Sequence, residues 1–248
     1  MLQKVPEATA LFWIIKVLTT GMGECVSDSL MEKWDMVAVA GGVVLLAVSL
    51  WWQMRQRRYR PWPYWIAVAM VSVVGTMVAD GLRKGLGLSY VVTTIAFSVL
   101  VTLSLYLWWR KERTLSIHSI TTRRREVFYW CTVMATFALG TAVGDMTAST
   151  LHWGFLPSGI LFAVLIVLPG LAYRFLGLNG VVAFWSSYVL TRPLGASFAD
   201  WLWVPQSAGG LGLGRDLVSL VTFVLFLILV VVAAATRNGV PEDALAAD

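Results

Sequence analysis

The sequence predicts an all-α polytopic membrane protein, with eight transmembrane helices arranged as four parallel helical-hairpin repeats in two pseudo-symmetric halves. Three observations carry this prediction. The 248-residue chain is 58% hydrophobic and only 13% charged, about half the charged fraction of a soluble domain. Its apolar residues gather in runs of roughly 20, the length a helix needs to cross a bilayer core. One pattern also recurs four times: a Trp, ten positions on a Gly, four further a small residue, and directly after it an Asp.

The runs cover 9–30, 35–54, 62–82, 88–109, 127–150, 156–176, 180–202 and 216–236. A transmembrane barrel is excluded, because its strands are alternating segments of ~10 residues. The first run is too long for a cleaved signal peptide and already holds the first copy of the pattern. The copies are Trp13–Gly23–Ser27–Asp28, Trp65–Gly75–Ala79–Asp80, Trp130–Gly140–Gly144–Asp145 and Trp185–Gly195–Ala199–Asp200. Each lies in an odd-numbered run, and an almost purely aliphatic run follows it. The odd helices are therefore expected inside, facing one another, with the even helices outside toward lipid.

Every repeat starts at the same side, so the repeats are parallel, related by an axis along the membrane normal. The basic loop at 110–126 separates a half at 1–120 from a half at 121–248. The Gly-Leu-Gly strings near 85–88 and 212–215 read as tight turns. The tail from Asn238 to Asp248 reads as frayed.

Loops at one side collect Lys4, Arg55, Arg57, Arg58, Arg60, Arg110, Lys111, Arg113, Arg123, Arg124, Arg125, Arg174 and Arg237; those at the other hold only Lys33, Arg83, Lys84 and Arg215. The positive-inside bias then puts both termini in the cytoplasm. The net charge of +5 points to anionic lipid headgroups as partner rather than nucleic acid. Cys25 and Cys131 differ by about 16 Å in depth, too far for a disulfide. Both read as packing residues, and His118 and His152 lack a partner at metal-ligand spacing.

On a helix the Gly and the small residue four later share a face, the small-xxx-small device by which membrane helices approach closely. The Asp sits about 100° round, beside that seam. Fifteen residues past the Trp it lies about 22 Å along the axis, with the Trp expected at the interface. One turn before each Asp stand Glu24, Thr76, Thr141 and Ala196. Four carboxylates at one depth (Asp28, Asp80, Asp145 and Asp200), with Glu24, Thr76 and Thr141 beside them, suit a hard divalent cation. A second reading stays open: each Asp is wet at the outer interface, or paired with Arg83, Lys84 or Arg215. Lys16 is expected to snorkel to the interface. Arg192 precedes Pro193 well inside the seventh helix and is expected either to pair with a carboxylate, to gate, or to hold an anionic substrate.

The strings at 4–9, 12–24, 190–201 and 209–214 resemble a family of bacterial inner-membrane proteins described as uncharacterised membrane-anchored proteins. The resemblance implies a bacterial inner-membrane location and no catalytic residue. The leading expectation is a secondary transporter, not an enzyme, with no cofactor. It would export a divalent cation such as manganese through the four Asp residues, with Glu24, Thr76, Thr141 and Arg192 along the ion path. The alternatives are a non-transporting subunit or sensor docking a cytoplasmic protein on its basic loops, and an organic-anion transporter using Arg192. Assembly into a homo-oligomer is left open.

Overall fold

The computed structural model describes residues 2–34 and 36–245 and is all-helical among them. The helices are α1 (Ala10–Trp34), α2 (Met36–Arg55), α3 (Pro61–Gly85), α4 (Tyr90–Glu112), α5 (Arg123–Asp145), α6 (Phe155–Leu176), α7 (Gly180–Trp203), α8 (Arg215–Ala235) and the short α9 (Glu242–Leu245). A π-helical turn, Met146–Thr150, prolongs α5. Local chemistry sets these limits. Pro61 opens α3, where its missing N–H is no loss. Ser89, Thr122 and Asn179 cap the starts of α4, α5 and α7 with side-chain oxygens. Gly177, at φ 70°, closes α6 in the left-handed conformation that glycine adopts without strain.

Among the described residues, seven helices, α1 to α6 and α8, are long and apolar enough to cross a membrane. Helix α7 is 24 residues long but diluted by Ser187, Thr191, Arg192, Ser197 and Asp200, all of them buried. Its polar side chains face protein, which is why hydropathy understates it.

The odd helices form a closed ring: α1 packs on α3, α3 on α5, α5 on α7, and α7 back on α1. The even helices lie outside, but not over their own repeat. Helix α2 packs mainly on α3, α4 on α5, α6 on α7 and α8 on α1. Each outer helix thus clamps the next repeat, so the repeats interlock rather than standing as separate hairpins. The outer faces carry exposed Val, Leu and Ile such as Val44, Ile95, Val164, Leu220 and Ile228. Apolar exposure on that scale marks a surface made for another apolar phase.

The glycines explain how the ring closes. A Cβ on Gly23 would collide with Ser72 of α3, and one on Gly140 with Arg192 of α7. On Gly75 it would come within 2.8 Å of Phe137 Cβ of α5, and on Gly195 it would meet Thr20 of α1. The rule is cyclic: each repeat's Gly receives the residue that stands three before the Gly of the next repeat, namely Ser72, Phe137, Arg192 and Thr20.

The ring ends differ. At the end bearing the chain termini, Phe12–Trp13, Tyr64–Trp65, Tyr129–Trp130 and Phe184–Trp185 pack as an aromatic layer. Centroids stand 5.7 Å apart for Phe12–Trp65 and Tyr64–Trp130, 6.2 Å for Tyr129–Trp185 and 5.6 Å for Trp13–Phe184. Trp65, Trp130 and Trp185 are buried. These three tryptophans fill the bundle, and each of the four repeat tryptophans packs edge-on against the aromatic residue that precedes it. Below them the N-terminal segment tucks in. Lys4 pairs with the fully buried Glu126, and Gln53 Nε2 donates to Glu126 Oε1 at 3.1 Å. The tail, expected to fray, is docked as far as it is described: Gln3 N donates to Asp243 Oδ2 at 2.9 Å, and Glu7 N to Gly239 O at 2.9 Å. Its residues 246–248 lie outside the described residues.

Candidate functional site

The opposite end holds the acids. Repeat geometry places Glu24, Thr76 and Thr141 one position after the ring glycines, so all three point toward the axis from α1, α3 and α5. The fourth repeat has Ala196 there, and its polar group comes instead from Arg192, one turn earlier on α7. The guanidinium fills the space Ala196 leaves and crosses the ring.

All three nitrogens of the Arg192 guanidinium are engaged. Its Nη2 donates to Glu24 Oε2 at 2.8 Å, to Thr141 Oγ1 at 2.9 Å and to Thr76 Oγ1. Nη1 donates to Thr20 O, and Nε to Phe137 O at 3.4 Å. Thr76 Oγ1 also donates to Glu24 Oε2 at 3.2 Å. The side chain is 1% exposed. One residue of α7 therefore ties α1, α3 and α5 together, and the four residues expected along an ion path (Glu24, Thr76, Thr141 and Arg192) meet at one point. A buried ion pair of this kind repays its desolvation only when further hydrogen bonds complete it, and here the threonines and two backbone carbonyls do so.

Beyond this lock, toward the acidic end, the four Asp diverge in their surroundings. One carboxylate oxygen each from Glu24, Asp28 and Asp200 lies within 4.8 Å of the other two. Asp200 is buried and takes a hydrogen bond from Trp203 Nε1 at 3.1 Å; Asp28 is half-buried. Asp80 instead binds Lys84 Nζ at 2.6 Å, one turn on in the same helix. Asp145 stands at the start of the π-helical turn, half-buried, with no hydrogen bond to its carboxylate among the described residues. The expected four-Asp set is thus resolved into a three-carboxylate group, which recruits Glu24, and two further acids within electrostatic reach of it. Arg215 donates to Glu32 rather than to an Asp carboxylate.

Three carboxyl groups and the guanidinium of Arg192 thus share one partly enclosed space. Oxygens at this spacing are what a hard divalent cation takes as ligands. Met22 and Met77, close to Glu24 and Asp80 in sequence, are buried among apolar side chains instead. A cavity of about 750 Å³ does open in the molecule, but at the terminal end, between Trp13, Leu115, Ile166, Leu171 and Phe184. It is mainly apolar and none of the candidate residues lines it.

One reading of a single residue is corrected. Lys16 does not snorkel; it is 1% exposed, with Nζ 3.7 Å from the Phe137 ring centroid and 4.2 Å from that of Tyr188. His118 stands at the terminal end, its Nδ1 3.2 Å from Glu7 Oε1. Sequence reasoning missed two features outright. One is the aromatic residue before each repeat Trp. The other is the aligned position Thr20, Ser72, Phe137 and Arg192, whose occupant each neighbouring Gly accommodates; aligning the four copies on their glycines displays both.

The family model described as Repeat of Unknown Function (DUF347) matches the chain four times, at residues 11–59, 63–114, 128–177 and 183–238. The chain belongs to this repeat family. Each matched unit spans one inner helix and the outer helix that follows it, so the family's repeat is the structural repeat of the ring. No curated protein and no solved structure matches the chain.

Proposed function

We propose that this member of the repeat family is a secondary transporter of a hard divalent cation, with Glu24, Asp28 and Asp200 as its ion-binding group. Eight crossings in a bacterial inner membrane, with α7 as the polar one and both termini cytoplasmic, complete the reading. The acidic end then faces outward and the aromatic layer closes the cytoplasmic side. The single observation that supports it most is the mutual approach of those three carboxylates, with Arg192 paired to Glu24 beside them. An all-oxygen set favours Mg²⁺, Ca²⁺ or Mn²⁺ over softer metals, and manganese export remains the most concrete form of the proposal. Because α7 carries both Arg192 and Asp200, a shift of α7 against α1 would remake the lock and the binding group together, which is what an alternating-access step requires.

The test is ion binding by the purified full chain and metal content of cells expressing it. Asp28→Asn and Asp200→Asn should each weaken Mn²⁺ binding by about tenfold or more, equivalent to about 1.4 kcal/mol, and abolish any effect on cellular manganese. Asp80→Asn, whose carboxylate is already paired, should act more weakly. Wild-type protein that binds no divalent cation, or cellular metal contents untouched by both substitutions at normal expression, would reject the proposal.

A further inference from the structure

Lys16 is the buried charge that the cation site does not use. It stands on α1 two turns from Glu24, about 12 Å along the axis, on the terminal side of the Arg192 lock. Its ammonium has two ring faces, Phe137 and Tyr188, as neighbours and no hydrogen bond among the described residues. The guanidinium of Arg192 lies over the same Phe137 ring, 5.1 Å from the centroid. One aromatic ring thus serves two buried cations, and among the described residues the one carboxylate that touches either is Glu24, on Arg192.

The groups around Lys16 are few. From α7 it faces Arg192 and Tyr188. From α5 it faces Phe137, with Tyr129 two turns toward the terminal end, and α3 brings Tyr64 at the level of Tyr129. Helix α2 has Arg55 only at its far terminal end, and α8 has Arg215 and Asp216 only at the acidic end. No acid among the described residues is placed to balance Lys16. Ring faces attract an ammonium, yet they do not replace a carboxylate where water is excluded. Arg192 cannot shed its proton, whereas a buried lysine can.

We propose that Lys16 is the proton site coupled to cation binding, an inference that rests on the transporter reading above. A divalent cation at Glu24, Asp28 and Asp200 draws Glu24's charge away from Arg192. The uncompensated guanidinium then raises the positive potential at the ring it shares with Lys16, and the ammonium gives up its proton. Tyr188, Tyr129 and Tyr64, all buried, with Tyr64 and Tyr129 hydroxyls 2.6 Å apart, offer exchangeable groups toward the terminal end. Cation entry and proton exit are then one electrostatic event: the cation takes over Glu24, and Lys16 discharges.

The experiment is Mn²⁺ addition to the purified full chain in a weakly buffered detergent solution with a pH indicator. Wild type should release about one proton per ion bound, whereas Lys16→Arg and Lys16→Met should bind the ion and lose that release. Release unchanged in both variants would assign the proton to the carboxylates and overturn the proposal. A second measurement needs no substitution: with ¹⁵N-labelled lysine, Mg²⁺ should move one Nζ resonance of the wild-type chain from ammonium to amine. No lysine resonance moving, with Mg²⁺ bound, overturns the proposal while leaving the transporter reading intact. A wild-type chain that binds neither ion removes the transporter reading, and the Lys16 proposal with it.

Discussion

The two ends of the inner ring are made from the same four repeats, yet they hold opposite chemistry. At the terminal end, the aromatic pairs at 12–13, 64–65, 129–130 and 184–185 fill the axis, and the buried acid there, Glu126, is matched by Lys4. At the acidic end the aligned positions are carboxylates; Arg192 reaches into the ring to meet Glu24 beside them, and Lys84 pairs with Asp80 from the same helix. The repeat pattern preserves packing at both ends: aromatic volume at one, glycine contacts in the middle, an acid at the other. What differs is balance. Apolar side chains pack into a closed layer without needing partners, whereas four acids on one ring repel unless something positive joins them.

That comparison breaks most visibly at Arg192. Replacing it with Gln removes the guanidinium that binds Glu24 and unties α7 from α1, α3 and α5. Taking one partner from a buried pair leaves an uncompensated charge and costs about 3–5 kcal/mol. Thermal unfolding in detergent should show the loss, and Glu24→Gln added to Arg192→Gln should restore part of it. A single Arg192→Gln variant as stable as wild type would mean that the acidic end does not depend on its cation.

A smaller effect is expected where the seam is purely steric. Gly75→Ala would set a methyl 2.8 Å from Phe137 Cβ, and overpacking of this size costs about 1–3 kcal/mol. Phe137 is also the ring shared by Lys16 and Arg192, so the same variant should disturb the electrostatics of the axis as well as its packing. Stability unchanged by Gly75→Ala would show that the α3–α5 seam has slack, and that the cyclic glycine rule is not a packing constraint there.

Much of this architecture is legible in the amino-acid order. Helix positions follow from the length of each apolar run, and the inner and outer ranks follow from where Gly, Thr and Asp are spent. The convergence of Glu24, Thr76 and Thr141 follows from one shared offset to the ring glycines. Three things are not legible. Hydropathy weighs Lys16 as a surface residue, and only the rings of Phe137 and Tyr188, from two other helices, make its burial tolerable. An offset within one helix cannot say that α2 will lean on α3 rather than stay with α1, since that depends on the angle between helices. Equal spacing also makes the four Asp look equivalent, and only the fold shows that Lys84 takes Asp80 while Asp28 and Asp200 gather with Glu24.

The last difference provides the finest test of the contrast within the acidic end itself. Lys84 is 62% exposed at its side chain, so its i,i+4 pair with Asp80 is screened by solvent and worth at most about 1 kcal/mol. Lys84→Ala should therefore leave the unfolding temperature nearly unchanged. Its consequence should be electrostatic: Asp80 loses its neutralising partner, and the acidic end gains a full negative charge within reach of Asp28. If Glu24, Asp28 and Asp200 hold the ion, Mn²⁺ binding should tighten slightly, by about two- to threefold, and the gain should fade as salt is raised, because the interaction acts across partly wet space. Weaker binding in Lys84→Ala would place Lys84 itself in the ion's path and end the distinction between the paired acid and the three that gather around Glu24.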